Sequence, residues 1–372
     1  MEPENQEEQV VPSSKYNLNT FDENFRMDLD CILELNEPKG IHSVKFNYND
    51  QYIAAGYRDG NVRIFNMMTK KMVCELDCND GSENQTLVQV MKWRPRIEGR
   101  TNNILMCACR DTIYEWHTPS RKIVHKKTFP DNTIFSMDYS NDGSEYALGF
   151  KDFSIRIYDG VKKTEKLKLG GHDNHKVTGH MSKIYAIKYH KENPKVLLSG
   201  GWDGNVLIWD LNTEAPINII NGPMISGEGL DMNCYGEVLT ASWRKDSPLQ
   251  IWDYASLQLK QDIEWSFKDK DDAKDSTQLY CCKFSNDFGK FIFAGGSQVN
   301  AVKVFDWSGK GMAAIDQLSH APVALDSSND VSKPEQLLAI GGGEGAIRVF
   351  KFSFFFFCFF MIIIYHFDIK IF

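Results

Sequence analysis

One strand ending recurs seven times along this chain: a polar turn, an apolar alternation, then an aromatic residue usually followed by a polar one. The copies run from Asn61 to Asn66, Thr112 to His117, Ser154 to Asp159, Asn205 to Asp210, Pro248 to Asp253, Ala301 to Asp306 and Ala346 to Lys351. Their last residues fall at 66, 117, 159, 210, 253, 306 and 351, intervals of 42 to 53 residues. A period in this range marks supersecondary units that cannot bury their faces alone and stack on one another. Seven such units use nearly all of the 372 residues, so the repetition predicts one large domain rather than two ordinary ones.

Each unit has the same internal grammar. An alternation ending in an aromatic, such as Val44-Lys45-Phe46 or Ile187-Lys188-Tyr189, leads into a turn like Ser140-Asn-Asp-Gly143. A short strand with small residues follows, Tyr52 to Gly56 or Val196 to Gly200, then a tight turn holding Asp, then the recurring ending. Period-two patterning punctuated by Asn, Asp and Gly is the signal of strands and hairpins. The expectation is an all-β chain: a seven-bladed β-propeller of four-stranded antiparallel blades, whose closed ring leaves no long exposed sheet edge.

The residues resemble the WD40-repeat family over roughly 29–352. The fourth unit carries the fullest match, with Gly179-His180, Ser199-Gly200, Asp203-Gly204 and Trp209-Asp210. The resemblance implies that His180, Ser199, Asp203 and Trp209 form a buried hydrogen-bonded set inside one blade. That is chemically sensible, because imidazole can donate and accept at once, Asp orients it, and a buried indole N–H needs an acceptor. The fifth unit keeps Trp252-Asp253 without Gly-His, and most others replace Trp by Phe or Tyr. The resemblance also implies that an N-terminal strand, here Asp30 to Leu35, completes the last blade and closes the ring.

Composition narrows the class of function. A formal charge of −8 gives no general drive toward nucleic acid or anionic membrane. The nine cysteines lack framework spacing, which argues against a secreted disulfide scaffold and for a cytoplasmic chain, with nuclear or cytoskeletal placement as alternatives. Cys107 and Cys109 could approach a metal together, but no second ligand pair accompanies them, and buried thiols are the preferred reading. His172, His175 and His180 lie in an insertion, again with no Cys or carboxylate cluster to complete a coordination set. A second insertion, Ser266 to Asp275, is a mixed charge run that reads as a solvated loop.

The ends depart from the repeats. Residues 1–28 read as a disordered acidic tail, and 29–352 as the propeller. Residues 353–372 form a hydrophobic tail whose uninterrupted apolar run, Phe354 to Tyr365, is 12 residues. A membrane-spanning helix needs about 20. Three readings stand: a membrane anchor, a strand packed on the last blade, and translation past a true exon boundary. The third is favoured, since Phe, Ile, Tyr and Lys are what AT-rich noncoding DNA encodes.

No enzyme constellation is present: there is no Gly-x-Ser-x-Gly elbow, no Walker loop and no His-Glu-x-x-His. Gly341 to Gly345 is a tight turn with no helix after it on which to seat a phosphate. No catalytic residue, metal or cofactor is therefore expected. If the turns between second and third strands face the same rim as the first-strand openings, as the resemblance implies, specific residues converge at the channel mouth. Arg58, Arg110, Lys151, Trp202 and Lys245, with Arg244 adjacent, precede or approach the turn Asp; His42, Gln89, Phe135, Tyr185 and Tyr280 open the strands. Such a rim of cations and rings suits a protein or peptide partner, acidic or aromatic. The bland alternative is solvated turns and channel-packed tyrosines. The expected function is a non-catalytic scaffold for complex assembly. The alternatives are a structural component of a cytoskeletal or ciliary assembly and, further off, a channel-site enzyme. Single-stranded nucleic acid ranks behind proteins as partner, and a membrane enters only if the C-terminal tail is native.

Overall fold

The computed structural model describes residues 16–37, 39–79, 87–96, 99, 101–173, 176–177, 179–266 and 277–354. Seven antiparallel sheets of four or five strands follow one another along the chain, and we number them as blades one to seven; a two-stranded pair, His172–Asp173 with Lys176–Val177, lies between blades three and four. Their innermost strands are Ile41–Phe46, Val88–Trp93, Ile134–Tyr139, Ile184–Tyr189, Leu230–Met232, Gln278–Phe284 and Pro322–Ser327. These strands pack against their neighbours around a central axis, and each blade runs outward from there.

The core is divided in the way the architecture demands. Seven apolar clusters are buried, and each straddles one junction between neighbouring blades. At the junction of blades three and four, for instance, Ile155, Ile157 and Leu169 meet Ile184, Leu197 and Trp209. No blade has a core of its own, so each unit depends on both neighbours for burial.

Closure is more extensive than a single strand. Phe25–Leu33 pairs antiparallel with Ile347–Phe354, from Leu33 opposite Ile347 to Phe25 opposite Phe354, completing blade seven. A four-residue strand further upstream, Asn17–Thr20, pairs with Ala313 to Asp316 and adds a fifth strand to blade six. This corrects the expected boundary at residue 28. Phe25 and Met27 alternate with Arg26 and Asp28, and the two apolar side chains are 2% and 4% exposed, which draws the segment onto the sheet. The last strand likewise runs to Phe354 rather than stopping at 352.

Residues 1–15, most of the charged insertion (267–276) and the tail from 355 onward lie outside the described residues, and with them the three readings of that tail. The side chains of His172 and His175 do as well. No helix among the described residues is long and apolar enough to cross a membrane.

Candidate functional site

Six of the seven inner strands carry a register shift at one residue near their start. The unpaired residues are His42, Gln89, Phe135, Tyr185, Tyr280 and Val323. A bulge leaves one residue outside the ladder and re-aims its side chain. Five of these six are the strand-opening residues singled out in the sequence. In blade five the inner strand is short, and Glu228 stands at the corresponding place, three residues before Asp231.

Aromatic rings link up across blades three to six. Phe135 lies 5.1 Å from Tyr185, Tyr185 lies 6.0 Å from Trp202, and Trp202 stacks on Trp243 at 5.5 Å and 17°. Trp243 continues to Tyr280 at 6.4 Å. The arc is partly open to solvent, with Trp202 45% exposed, and the Lys183 ammonium sits 5.2 Å from the Phe135 ring centre. Inside it, the buried Nε1 of Trp243 has no acceptor among the described residues.

The cations occupy the rest of the rim. Arg58 N donates to Gly40 O just ahead of the first inner strand, Ile134 N donates to Arg110 O, and Lys151 N donates to Thr133 O. All three side chains are exposed, as is Lys245, and none of the four makes an ion pair among the described residues. Lys245 is displaced from the expected pattern. In blade five it is Trp243 whose N–H donates back, to Met224 O at 2.8 Å, so Trp243 is the counterpart of Arg58 and Lys151. The blade-five turn is longer, which shifts the residue before Asp246 away from that position. Arg244 is engaged locally, donating to Gln250 Oε1 at 2.9 Å.

Three residues below the mouth lies a second layer, at the penultimate position of every inner strand: Lys45, Lys92, Asp138, Lys188, Asp231, Lys283 and Asp326. Each Asp fastens both neighbouring blades. Asp138 faces Lys92 at 3.6 Å and accepts from Tyr189 N; Asp231 faces Lys188 at 3.0 Å and accepts from Phe284 N; Asp326 faces Lys283 at 2.7 Å and accepts from Phe46 N. An odd ring cannot alternate in sign all the way round, and the mismatch falls between Lys45 and Lys92. Glu228 answers it by reaching from the mouth layer to pair with Lys45.

Electrostatics follow from this arrangement. Burial alone would raise the Asp326 carboxyl, but Lys283 and Lys45 outweigh it and hold it below its ordinary range. Asp231 is lowered in the same way against burial by Lys188, Lys191 and Lys283, and Glu228 by Lys45 and Lys92. At Lys92 burial prevails instead and, with Lys188 adding repulsion, pushes its ammonium down to about 8. The cavity between these groups measures about 40 Å³, room for little more than a water molecule. The four channel carboxylates, Asp138, Asp231, Asp326 and Glu228, are engaged by lysines and, for the three Asp, by backbone amides as well. No group of three or more metal-ligating side chains lies together among the described residues.

Blade four assembles its polar set in full. His180 Nδ1 bonds Asp203 Oδ2 at 2.8 Å, its Nε2 bonds Ser199 Oγ at 2.8 Å, and Trp209 Nε1 donates to the same oxygen at 2.7 Å. Blade five retains only the last link, Trp252 Nε1 to Thr240 Oγ1 at 3.0 Å. The eight described cysteines are free thiols, and Cys107 and Cys109 are buried with Cys78.

Comparison with known proteins agrees with this geometry. The family model described as "WD domain, G-beta repeat" matches residues 171–210, the blade-four segment with the complete polar set. The model described as "Anaphase-promoting complex subunit 4 WD40 domain" matches residues 23–96. Among similar curated proteins, "Ribosome biogenesis protein WDR12 homolog" of Drosophila pseudoobscura pseudoobscura is 24% identical over 243 residues, covering 59% of this chain and 51% of the relative. "Cell division cycle 20.5, cofactor of APC complex" of Arabidopsis thaliana is 22% identical over 260 residues, covering 69% of this chain and 54% of the relative. The chain thus spans about half the length of the curated relatives it matches.

Proposed function

Since the chain belongs to the WD40-repeat family, we propose that it is a non-catalytic platform that holds a segment of a partner protein across its channel mouth. The observation that carries this is the unbroken arc from Phe135 through Tyr185, Trp202 and Trp243 to Tyr280, together with exposed Arg58, Arg110 and Lys151 at the corresponding turns of blades one to three. Large rings and arginines supply most of the energy of protein interfaces. The cations favour carboxylates on the partner, and the buried Trp243 Nε1 has no acceptor among the described residues. Because the propeller holds the rim in place, little ordering entropy is lost on docking. The names of the similar proteins point to assembly roles, in ribosome biogenesis and as a cofactor of APC complex, and a platform of this kind is consistent with either.

The test is capture of partners by the full chain carrying Arg58→Glu with Lys151→Glu. Loss of partners with an unchanged melting curve is the expected result. Unimpaired capture by the double variant would overturn the cationic part of the reading.

A further inference from the structure

We propose that the outer strand of blade four, Ala215–Asn221, is a docking edge for a second copy of this chain, the two strands pairing antiparallel about a two-fold axis. It is the terminal strand of its sheet, so one row of its backbone N–H and C=O groups faces no other strand. Four consecutive residues, Pro216 to Ile219, are exposed, with Ile217 and Ile219 at 48% and 42%.

What sets this edge apart is exposed aliphatic side chains with no charge among them. Native sheets blunt their edges with charged side chains, and five of the other six outer strands do so, the exception being the uncharged Asn17–Thr20 on blade six, whose one apolar residue, Leu18, is half-buried. Blade one has Lys71, Glu75 and Asp77; blade two has Lys122, Lys126 and Lys127; blade three has Glu165, Lys166 and Lys168; blade five has Lys260 and Asp262. The outer strand of blade seven has Arg26, Asp28 and Asp30. Ala-Pro-Ile-Asn-Ile-Ile-Asn in blade four has none.

Blade six shows what becomes of such an edge in this molecule. Its fourth strand, Gly311–Asp316, carries one charge, and the chain covers it with Asn17–Thr20. That added strand pairs with Ala313 to Asp316, the part beyond the bulge at Met312. The matching stretch of blade four, beyond the bulge at Ile217, is Asn218 to Asn221, and nothing among the described residues covers it.

The occupant follows from symmetry. A two-fold axis through an antiparallel strand pair stands perpendicular to the sheet and sets residues of like parity opposite one another, so a residue at the centre meets its own copy. In blade two the centre would be Lys126 or Lys127, and like charges would collide. In blade four it is Ile219 or Ile220, and both choices keep the contact neutral and aliphatic. A single strand pair is small, and interfaces below about 1,200 Å² are weak or transient, so the dimer forms at micromolar rather than nanomolar concentration.

Sedimentation of the full chain up to about 200 μM tests this, alongside Ile219→Lys and, as a matched change on the blade-two edge, Val124→Lys. The wild type and Val124→Lys are expected to dimerise alike, and Ile219→Lys to weaken association at least about tenfold. A wild type that stays monomeric throughout, or a dimer indifferent to Ile219→Lys, would overturn the proposal. Both variants alter exposed side chains, so a matching melting curve separates lost pairing from lost folding.

Discussion

The mouth and the waist of the channel are built by the same seven strands from positions three residues apart, yet only the waist is chemically complete. At the waist, regular pairing turns Lys45, Lys92, Asp138, Lys188, Asp231, Lys283 and Asp326 toward one another, and four cations meet four anions once Glu228 is counted. At the mouth, the bulges leave His42, Gln89, Phe135, Tyr185 and Tyr280 outside the ladder, beside exposed cations that make no ion pair among the described residues. One layer joins blades together. The other is left with rings, charges and an unsatisfied indole for something else to meet.

The largest expected effect comes from breaking the waist. Asp326→Ala strands Lys283 of blade six and the Phe46 amide of blade one, on the two sides of blade seven. Removing one member of a buried ion pair costs about 3–5 kcal/mol, so urea unfolding is expected to show a loss of that size. A loss under about 1 kcal/mol, the scale of exposed pairs, would mean the ring contributes no more than surface charges do.

Mouth substitutions should behave in the opposite way. Trp202→Ala with Trp243→Ala is expected to leave the melting temperature within a few degrees while weakening partner capture by about 2 kcal/mol or more, some thirtyfold. A collapse in stability instead would place the arc with the core.

Smaller, and specific to the odd-membered ring, is a pH effect. The Lys92 ammonium is lowered to about 8 in the folded chain, against about 10.4 for an unperturbed lysine. Between those values the unfolded chain binds more protons, so the Lys92 contribution to stability rises with pH, its cost being fully present below about 8. Unfolding of wild type and Lys92→Met at pH 7.5 and 9.5 should show that the wild type gains more over this step. Equal slopes would mean Lys92 is not held charged against its burial.

Smallest is the contrast between blades. Ser199→Ala removes the hydroxyl that links His180 Nε2 to Trp209 Nε1, and Thr240→Ala removes only the acceptor of Trp252. Leaving a buried polar group unsatisfied costs about 1–3 kcal/mol, so the blade-four change should exceed the blade-five change by roughly one such group.

Much of the fold was legible because it repeats. Seven strand endings fixed the number of blades, and the Gly179-His180 to Trp209-Asp210 series located the one complete polar set. Asn17–Thr20 was not legible, since Asn-Leu-Asn-Thr carries one apolar residue and no alternation; its strand exists because blade six presents an edge to it. At the mouth, the strand openings were readable through the resemblance to WD40 repeats, which sets them on the same rim as the turns. Trp243 was hidden by a longer turn in blade five, and Lys245 stood in its place. The waist had a visible sign, a charged residue before the end of every inner strand. Its meaning depends on pairing between different blades, which the order of residues along one strand does not reveal.

The most direct test of the account is a side-by-side capture and melting experiment on three full-length proteins: wild type, Trp202→Ala with Trp243→Ala, and Tyr235→Ala with Trp307→Ala. The last pair removes exposed rings from turns at the opposite ends of the strands. The account predicts three matching melting curves, with partners lost only from the mouth variant. Partners retained by the mouth variant and lost from the other would contradict it.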